Sequence, residues 1–157
     1  MEFSLSEEQS LLKDSVQRYI QNSYSFEDRQ RLIGSEEGFS RENWKNFAEL
    51  GWLALPFSEE IGGFGGTAVE TMILMEEFGK GLVVEPYLSS IILAGSIIEK
   101  SESEAIISTV LSAIMSGDKL AALAFVEPQA RFNLSDVETS GIESAGGFVL
   151  NGFKAVV

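Results

Sequence analysis

Gly63-Phe64-Gly65-Gly66-Thr67-Ala68 has the most pointed spacing for chemistry in this sequence. It fits G-x-G-x-x-A, whose glycines let a turn approach a pyrophosphate at a helix N-terminus, and Glu85 lies near the expected acidic position. That mechanism needs a buried parallel strand feeding the turn. The residues before it, Phe57 to Gly62, are polar and follow Pro56. No alternation of strands and helices runs along the chain, so a tight structural turn is the stronger reading. No Gly-Lys-Ser/Thr follows, which excludes a P-loop. Glu59-Glu60 and Glu76-Glu77 are adjacent carboxylates. Neighbours on a helix point about 100° apart, so they do not share a site and read as solvated faces. Cysteine and histidine are both missing from the sequence. Disulfides, thiolate nucleophiles, Cys/His zinc sites, Ser-His triads and Glu-x-x-His di-iron sites are excluded together.

At 157 residues the chain is one ordinary domain, or one domain and part of another, and its 45% hydrophobic content is enough for a core. A net charge of −13 argues against nucleic acid and anionic membrane surfaces as partners. The acidic N-terminus Met1 to Gln9 lacks the basic region of a signal peptide. Leu88 to Ile98 is the longest apolar stretch, contains Ser89, Ser90, Gly95 and Ser96, and is too short to span a bilayer. The expected location is cytoplasmic. The stripe of Leu88, Ile91, Ile92 and Ile98 reads as core rather than as a lipid groove.

Start and stop signals recur along the first three quarters of the chain. Ser6 and Gln9 form a capping box, followed at helical spacing by Leu11, Leu12, Val16, Tyr19 and Ile20. A short charged helix is expected from Ser25 to Leu32, ending near Gly34. Ser40 caps the next, with Phe39 and Trp44 as a hydrophobic staple, and Gly51 ends it. Thr67 and Glu70 form another capping box, opening a helix through Phe78 that Gly79 stops. This helix is apolar nearly all round and should be central to the bundle. Pro86 suits a first helical position for a run through Lys100, and Ser101 to Glu104 cap one more helix to about Met115, closed by Gly117. An orthogonal bundle of about six helices is therefore expected up to Lys119, with strands from Leu120 onward.

The tail carries the β-formers Leu123, Phe125 and Val126, a turn at Gly146-Gly147, then Phe148-Val149-Leu150. Asn151-Gly152 is a strong hairpin signal and predicts a final strand over Lys154 to Val157. That strand has no partner after it, so the chain reads as the front part of something longer. The residues by themselves give an acidic helical domain leading into a β domain, with no catalytic constellation.

Resemblance adds to this. "FSLSEEQSLLKDSVQRYI", "WKNFAELGWLALPFSEEIGGFGGTAVETMILMEEFGKGL" and "EPYLSS" resemble the N-terminal helical domain of the acyl-CoA dehydrogenase family, and "LAFVEPQA…VLNGFK" resembles the start of its middle β domain. "EPQARFN" is similar to the small-subunit branch typified by pimeloyl-CoA dehydrogenase. The resemblance implies a mainly α chain. An N-terminal helical domain over 1–118 precedes the first strands of a β-barrel-like middle domain over 119–157, with the C-terminal helical bundle absent. It implies FAD as cofactor and oxidation of an acyl-CoA across Cα–Cβ to a trans-2-enoyl-CoA. A carboxylate takes the α-proton and the flavin takes the hydride. Electrons pass to an electron-transfer flavoprotein, and the subunit forms a homo- or hetero-oligomer with another subunit of the family.

Carried over residue by residue, the family pattern is only partly kept. The family's Thr-Glu-Pro lies along the flavin, and its threonine falls on Val126, which keeps the backbone but has no hydroxyl. The family's Gly-Ser-Asp, which serves the FAD pyrophosphate and the acyl-CoA, falls without gaps on Arg131-Phe132-Asn133. Arg131 suits phosphate geometry and reads equally as a solvent-facing loop residue. Phe125 is a flavin-side wall or a core strand residue. The implied cofactor-binding residues are Phe125, Val126, Arg131 and Phe132. The general base is expected beyond Val157, so this chain alone should not catalyse. A second reading stays open, in which the chain belongs to a flavin-poor structural subunit beside an active one.

Overall fold

A computed structural model describes residues 4–157, and the chain divides into two compact units, the second being Ala122–Val157. In the first unit, helix starts follow side-chain chemistry closely. Ser6 accepts from the Gln9 amide while Gln9 reaches back to the Ser6 amide, opening α1 (Glu7–Ser23). Ser25 caps α2 (Phe26–Ile33) by accepting from the Asp28 amide, and Ser40 caps α3 (Arg41–Glu49) by accepting from the Asn43 amide. Thr67 and Glu70 close the capping box of α4 (Ala68–Gly81). These hydroxyls satisfy N–H groups that the first helical turn leaves without partners.

The later helices depart from the regular α register. Tyr87 leads into a π-helical run, Leu88–Gly95, which continues as α5 (Ser96–Lys100). Then α6 (Glu104–Ile106), a π-helical turn Ile107–Leu111 and α7 (Ser112–Met115) form one further rod. The expected helical runs to Lys100 and to Met115 are both present, and Gly117 closes the second with φ +73°.

Aromatic residues make the core of this unit. Phe47 stacks on Phe78 with ring centroids 5.1 Å apart, and Tyr19 meets it edge-on at 5.5 Å. Trp52 lies 5.1 Å from the same ring, and the Tyr87 hydroxyl donates to the Trp52 carbonyl at 2.9 Å. Leu53, Phe57, Leu74 and Ile91 are fully buried around them. Each such side chain stabilises the fold by roughly 1.5–3 kcal/mol through loss of apolar surface from water.

The end of α4 differs from expectation. Gly79 does not stop the helix; it runs on to Gly81, and Leu82 takes the left-handed cap at φ +52°. A Cβ on Gly81 would stand 2.7 Å from Ile20 Cγ2, so the missing side chain lets α4 approach α1 closely while still helical. Its apolar residues divide: Ile73, Leu74 and Phe78 are buried and Met75 packs against the core, while Val69 and Met72 are exposed.

The second unit is built differently. Strands β1 (Ser140–Ser144) and β2 (Gly147–Asn151) pair antiparallel, with Ile142 opposite Val149. The turn lies at Ala145-Gly146, where Gly146 has φ +94°. Asn151-Gly152 therefore does not make the expected hairpin: Asn151 is the last residue of β2, paired with Ser140. Residues 154–157 form no strand, and neither do Leu120 to Pro128, although the Ala155 amide donates to the Val126 carbonyl at 2.9 Å. After Asn151 the chain turns towards Val126 rather than back along the free edge of β2. Ile142, Phe148 and Leu150 on the hairpin are all exposed. The chain is thus mainly helical, with a short antiparallel sheet following the helices. Among the described residues no helix is long and apolar enough to cross a membrane.

Candidate functional site

Glu127 is the most heavily coordinated side chain of the second unit. It is 2% exposed, and its Oε1 accepts from Lys154 Nζ at 2.6 Å, Thr139 Oγ1 at 2.6 Å and the Thr139 amide at 3.2 Å. Its Oε2 accepts from the Glu138 amide and from Gln129 Nε2, both at 2.7 Å. Pro128 disfavours helix at the residue before it, and Glu127 lies outside any helix. Lys154 first, then Thr139 and Gln129, hold this carboxyl far below the usual carboxylate range despite its burial.

The implied cofactor residues flank this centre in sequence. Phe125 is partly exposed, and Val126 offers its carbonyl to Ala155 and carries no hydroxyl. Beyond Pro128 the chain turns through Ala130, whose amide donates to the Glu127 carbonyl, and Asn133, whose amide donates to the Ala130 carbonyl. Arg131 and Phe132 stand out on this loop, Phe132 being 100% exposed. Arg131 has φ +51°, the left-handed conformation that glycine adopts without penalty. Among the described residues Arg131 forms no ion pair.

The motifs considered first fall elsewhere. The glycine run forms the tight turn that was the stronger reading: the Gly65 amide donates to the Phe57 carbonyl at 2.7 Å and Gly66 to Leu55 at 2.8 Å. A Cβ on Gly63 would sit 2.1 Å from the Phe57 carbonyl oxygen, so the glycine serves this backbone crossing. No strand precedes it within residues 51–66. Glu85 is buried and accepts from the Tyr24 hydroxyl at 2.9 Å and Asn43 Nδ2 at 2.9 Å, joining α1 and α3 to the segment before Pro86. Glu76 is solvated and bonds Lys80, but Glu77 is a correction. It is 2% exposed, with Lys80 at 2.8 Å and Lys13 at 3.9 Å.

Sequence reasoning passed over Glu127 and Glu85 as structural centres. A shared signal exists, because each precedes a proline, in Glu85-Pro86 and Glu127-Pro128. Among the described residues no group of histidine, cysteine or carboxylate side chains has the arrangement of a metal site.

The family model described as acyl-CoA dehydrogenase, N-terminal domain, matches residues 6–118. Acryloyl-CoA reductase (NADH) of Anaerotignum propionicum is 32% identical over 160 residues, covering 100% of this chain and 40% of the relative. The short-chain specific acyl-CoA dehydrogenase of Clostridium acetobutylicum is 28% identical over 162 residues, covering 100% of this chain and 41% of the relative. Among solved structures, PigA with FAD and proline superimposes with a TM-score of 0.83 at 25% identity, over 97% of this chain and 40% of that one. The chain spans about two fifths of the length of the relatives it matches.

Proposed function

This chain belongs to the acyl-CoA dehydrogenase family, and from that premise we propose that it is the N-terminal part of an FAD-dependent enzyme that oxidises an acyl-CoA across Cα–Cβ to a trans-2-enoyl-CoA. Residues 1–118 are its helical domain and residues 119–157 the start of its middle β domain. The observation that carries the reading is the match of residues 6–118 to the family's N-terminal domain, while the loop after Glu127-Pro128 departs from the family pattern at Arg131, whose φ is +51°. FAD, when bound, supplies the hydride acceptor. The chain's own share is to bind and orient it: Phe125 and the backbone of Val126 line the ring system, Phe132 offers an aromatic face, and Arg131 pairs with a phosphate. Electrons leave to an electron-transfer flavoprotein, the assembly is a homo- or hetero-oligomer of family subunits, and the compartment is the cytoplasm.

Val126 favours a second reading, a flavin-poor structural subunit in a heteromer. The missing threonine hydroxyl removes a hydrogen bond worth on the order of 1 kcal/mol, or several-fold in flavin affinity. One experiment separates the two. Flavin absorbance per chain and acyl-CoA turnover with an artificial electron acceptor are measured on the full-length protein, alone and with a same-family partner. Stoichiometric flavin and turnover when alone supports the enzyme; flavin and turnover only with the partner supports the structural subunit. Flavin-free protein with no turnover in either state sinks both.

A further inference from the structure

We propose that Glu127 is a positioning residue for the flavin contacts: its buried carboxylate gathers Gln129, the 138–139 backbone and Lys154, and so sets the backbone of Val126 and of the loop that carries Arg131 and Phe132. This inference rests on the functional reading above. The geometry is specific. The loop leaves Glu127 through Pro128 and returns at Glu138 and Thr139, and both of those amides donate to the same carboxylate, at 2.7 and 3.2 Å. The loop is therefore closed on itself at its base by one side chain. On the other side Lys154 binds that carboxylate, and its neighbour Ala155 donates to the Val126 carbonyl. A single group thus fixes the backbone both before and after its own position.

The donors also explain why a carboxylate is needed here. Backbone amides, a hydroxyl, a side-chain amide and an ammonium converge on its two oxygens, and each is a donor in this arrangement. Glutamine has the same shape but turns an NH2 group towards some of these donors and leaves them unsatisfied. Glu127 is a member of neither the Ile142–Val149 pairing nor the aromatic cluster around Phe47.

The test compares wild type, Glu127→Gln and the milder Thr139→Val in the full-length protein. FAD affinity and the flavin absorbance spectrum are measured well below the unfolding temperature. Amide exchange is followed at Glu138, Thr139 and Ala155, and tryptophan fluorescence from Trp44 and Trp52 reports the helical unit. The expected result is faster exchange at those amides, FAD binding weaker by about tenfold in Glu127→Gln and by a few-fold in Thr139→Val, and an altered flavin spectrum, with the tryptophan signal unchanged. If Glu127→Gln does not fold, Thr139→Val carries the same comparison alone. Unchanged FAD affinity and spectrum in the variants, with wild type binding FAD, overturns the positioning role and leaves the functional reading standing. Wild type that binds no FAD under any of these conditions fails the functional reading itself, and the inference with it.

Discussion

Arg131 carries a conformational strain that can be read directly. Its φ of +51° lies in the left-handed region, where an L side chain costs roughly 1–2 kcal/mol relative to the right-handed form. Arg131→Gly removes that strain but adds freedom to the unfolded chain, worth roughly 0.5–1 kcal/mol against it. The net expectation is a gain in stability of up to about 1 kcal/mol in chemical denaturation. If the guanidinium meets a flavin phosphate, the same variant binds FAD more weakly. A variant that is more stable and binds FAD at least as tightly would remove Arg131 from the cofactor site. Gly63 offers the opposite case. A Cβ there would press to 2.1 Å from the backbone oxygen of Phe57, and backbone cannot move aside as a flexible side chain can. Gly63→Ala should destabilise by more than the ~1 kcal/mol of an average point substitution, seen as a lower denaturation midpoint. A neutral Gly63→Ala would mean that the turn is not set by close backbone approach.

At the scale of elements, the start of α4 is tied to its neighbour. Glu70 closes the capping box on Thr67 and also accepts from Gln9 Nε2 of α1 at 2.7 Å. The Thr67 hydroxyl first, then Gln9, hold the Glu70 carboxyl at about 2, below its ordinary 4.5. A folded value below the unfolded one means stability that is complete above about pH 4.5 and is lost as pH falls towards 2. Denaturation of wild type and Glu70→Gln across that range isolates the contribution from the other carboxylates. The difference between them should be largest near neutral pH and vanish by about pH 2; a constant difference would show that Glu70 is not the titrating cap. Helix starts of this kind are legible in sequence because a hydroxyl, and where present Gln9 or Glu70, lie within one turn of the amides they serve. The hairpin was less legible. Asn151-Gly152 has the right residues for a turn, yet the turn between the paired strands lies at Ala145-Gly146, where Gly146 has φ +94°, and the chain after Asn151 runs on to the Ala155–Val126 hydrogen bond instead of back along β2.

For the whole molecule the two units differ in how much they bury. The first holds the aromatic core of Phe47, Trp52, Phe78 and Tyr87. In the second, Glu127 and Ala130 are buried, while the hairpin and the Arg131 loop are exposed. Local opening is easiest where few apolar contacts must be broken. Brief trypsin treatment should therefore cut first at Lys119 or Arg131, both exposed, and leave a product that keeps the Trp44 and Trp52 fluorescence. A first cut inside α1 to α4 would contradict this ranking. Mass spectrometry of the early products decides it.

What the sequence determined by itself is the set of choices made over short separations. Ser6, Ser25, Ser40 and Thr67 start helices where they were expected to, and the glycines of 62–66 turn the chain back on residues 54–58. The resemblance to the family was also readable, in motifs spread along the chain in order. Only the tertiary structure decided which carboxylates leave water. Glu77 looked like its solvated neighbour Glu76, but it is buried within reach of Lys13 on another helix. Glu85 is buried against Tyr24, and Glu127 against Thr139 and Lys154, all distant in sequence. Burying a charge is costly unless donors surround it, and for Glu85 and Glu127 most of those donors come from other segments. No local pattern around a glutamate records whether distant donors will arrive, so its place in the fold is settled only when the segments meet.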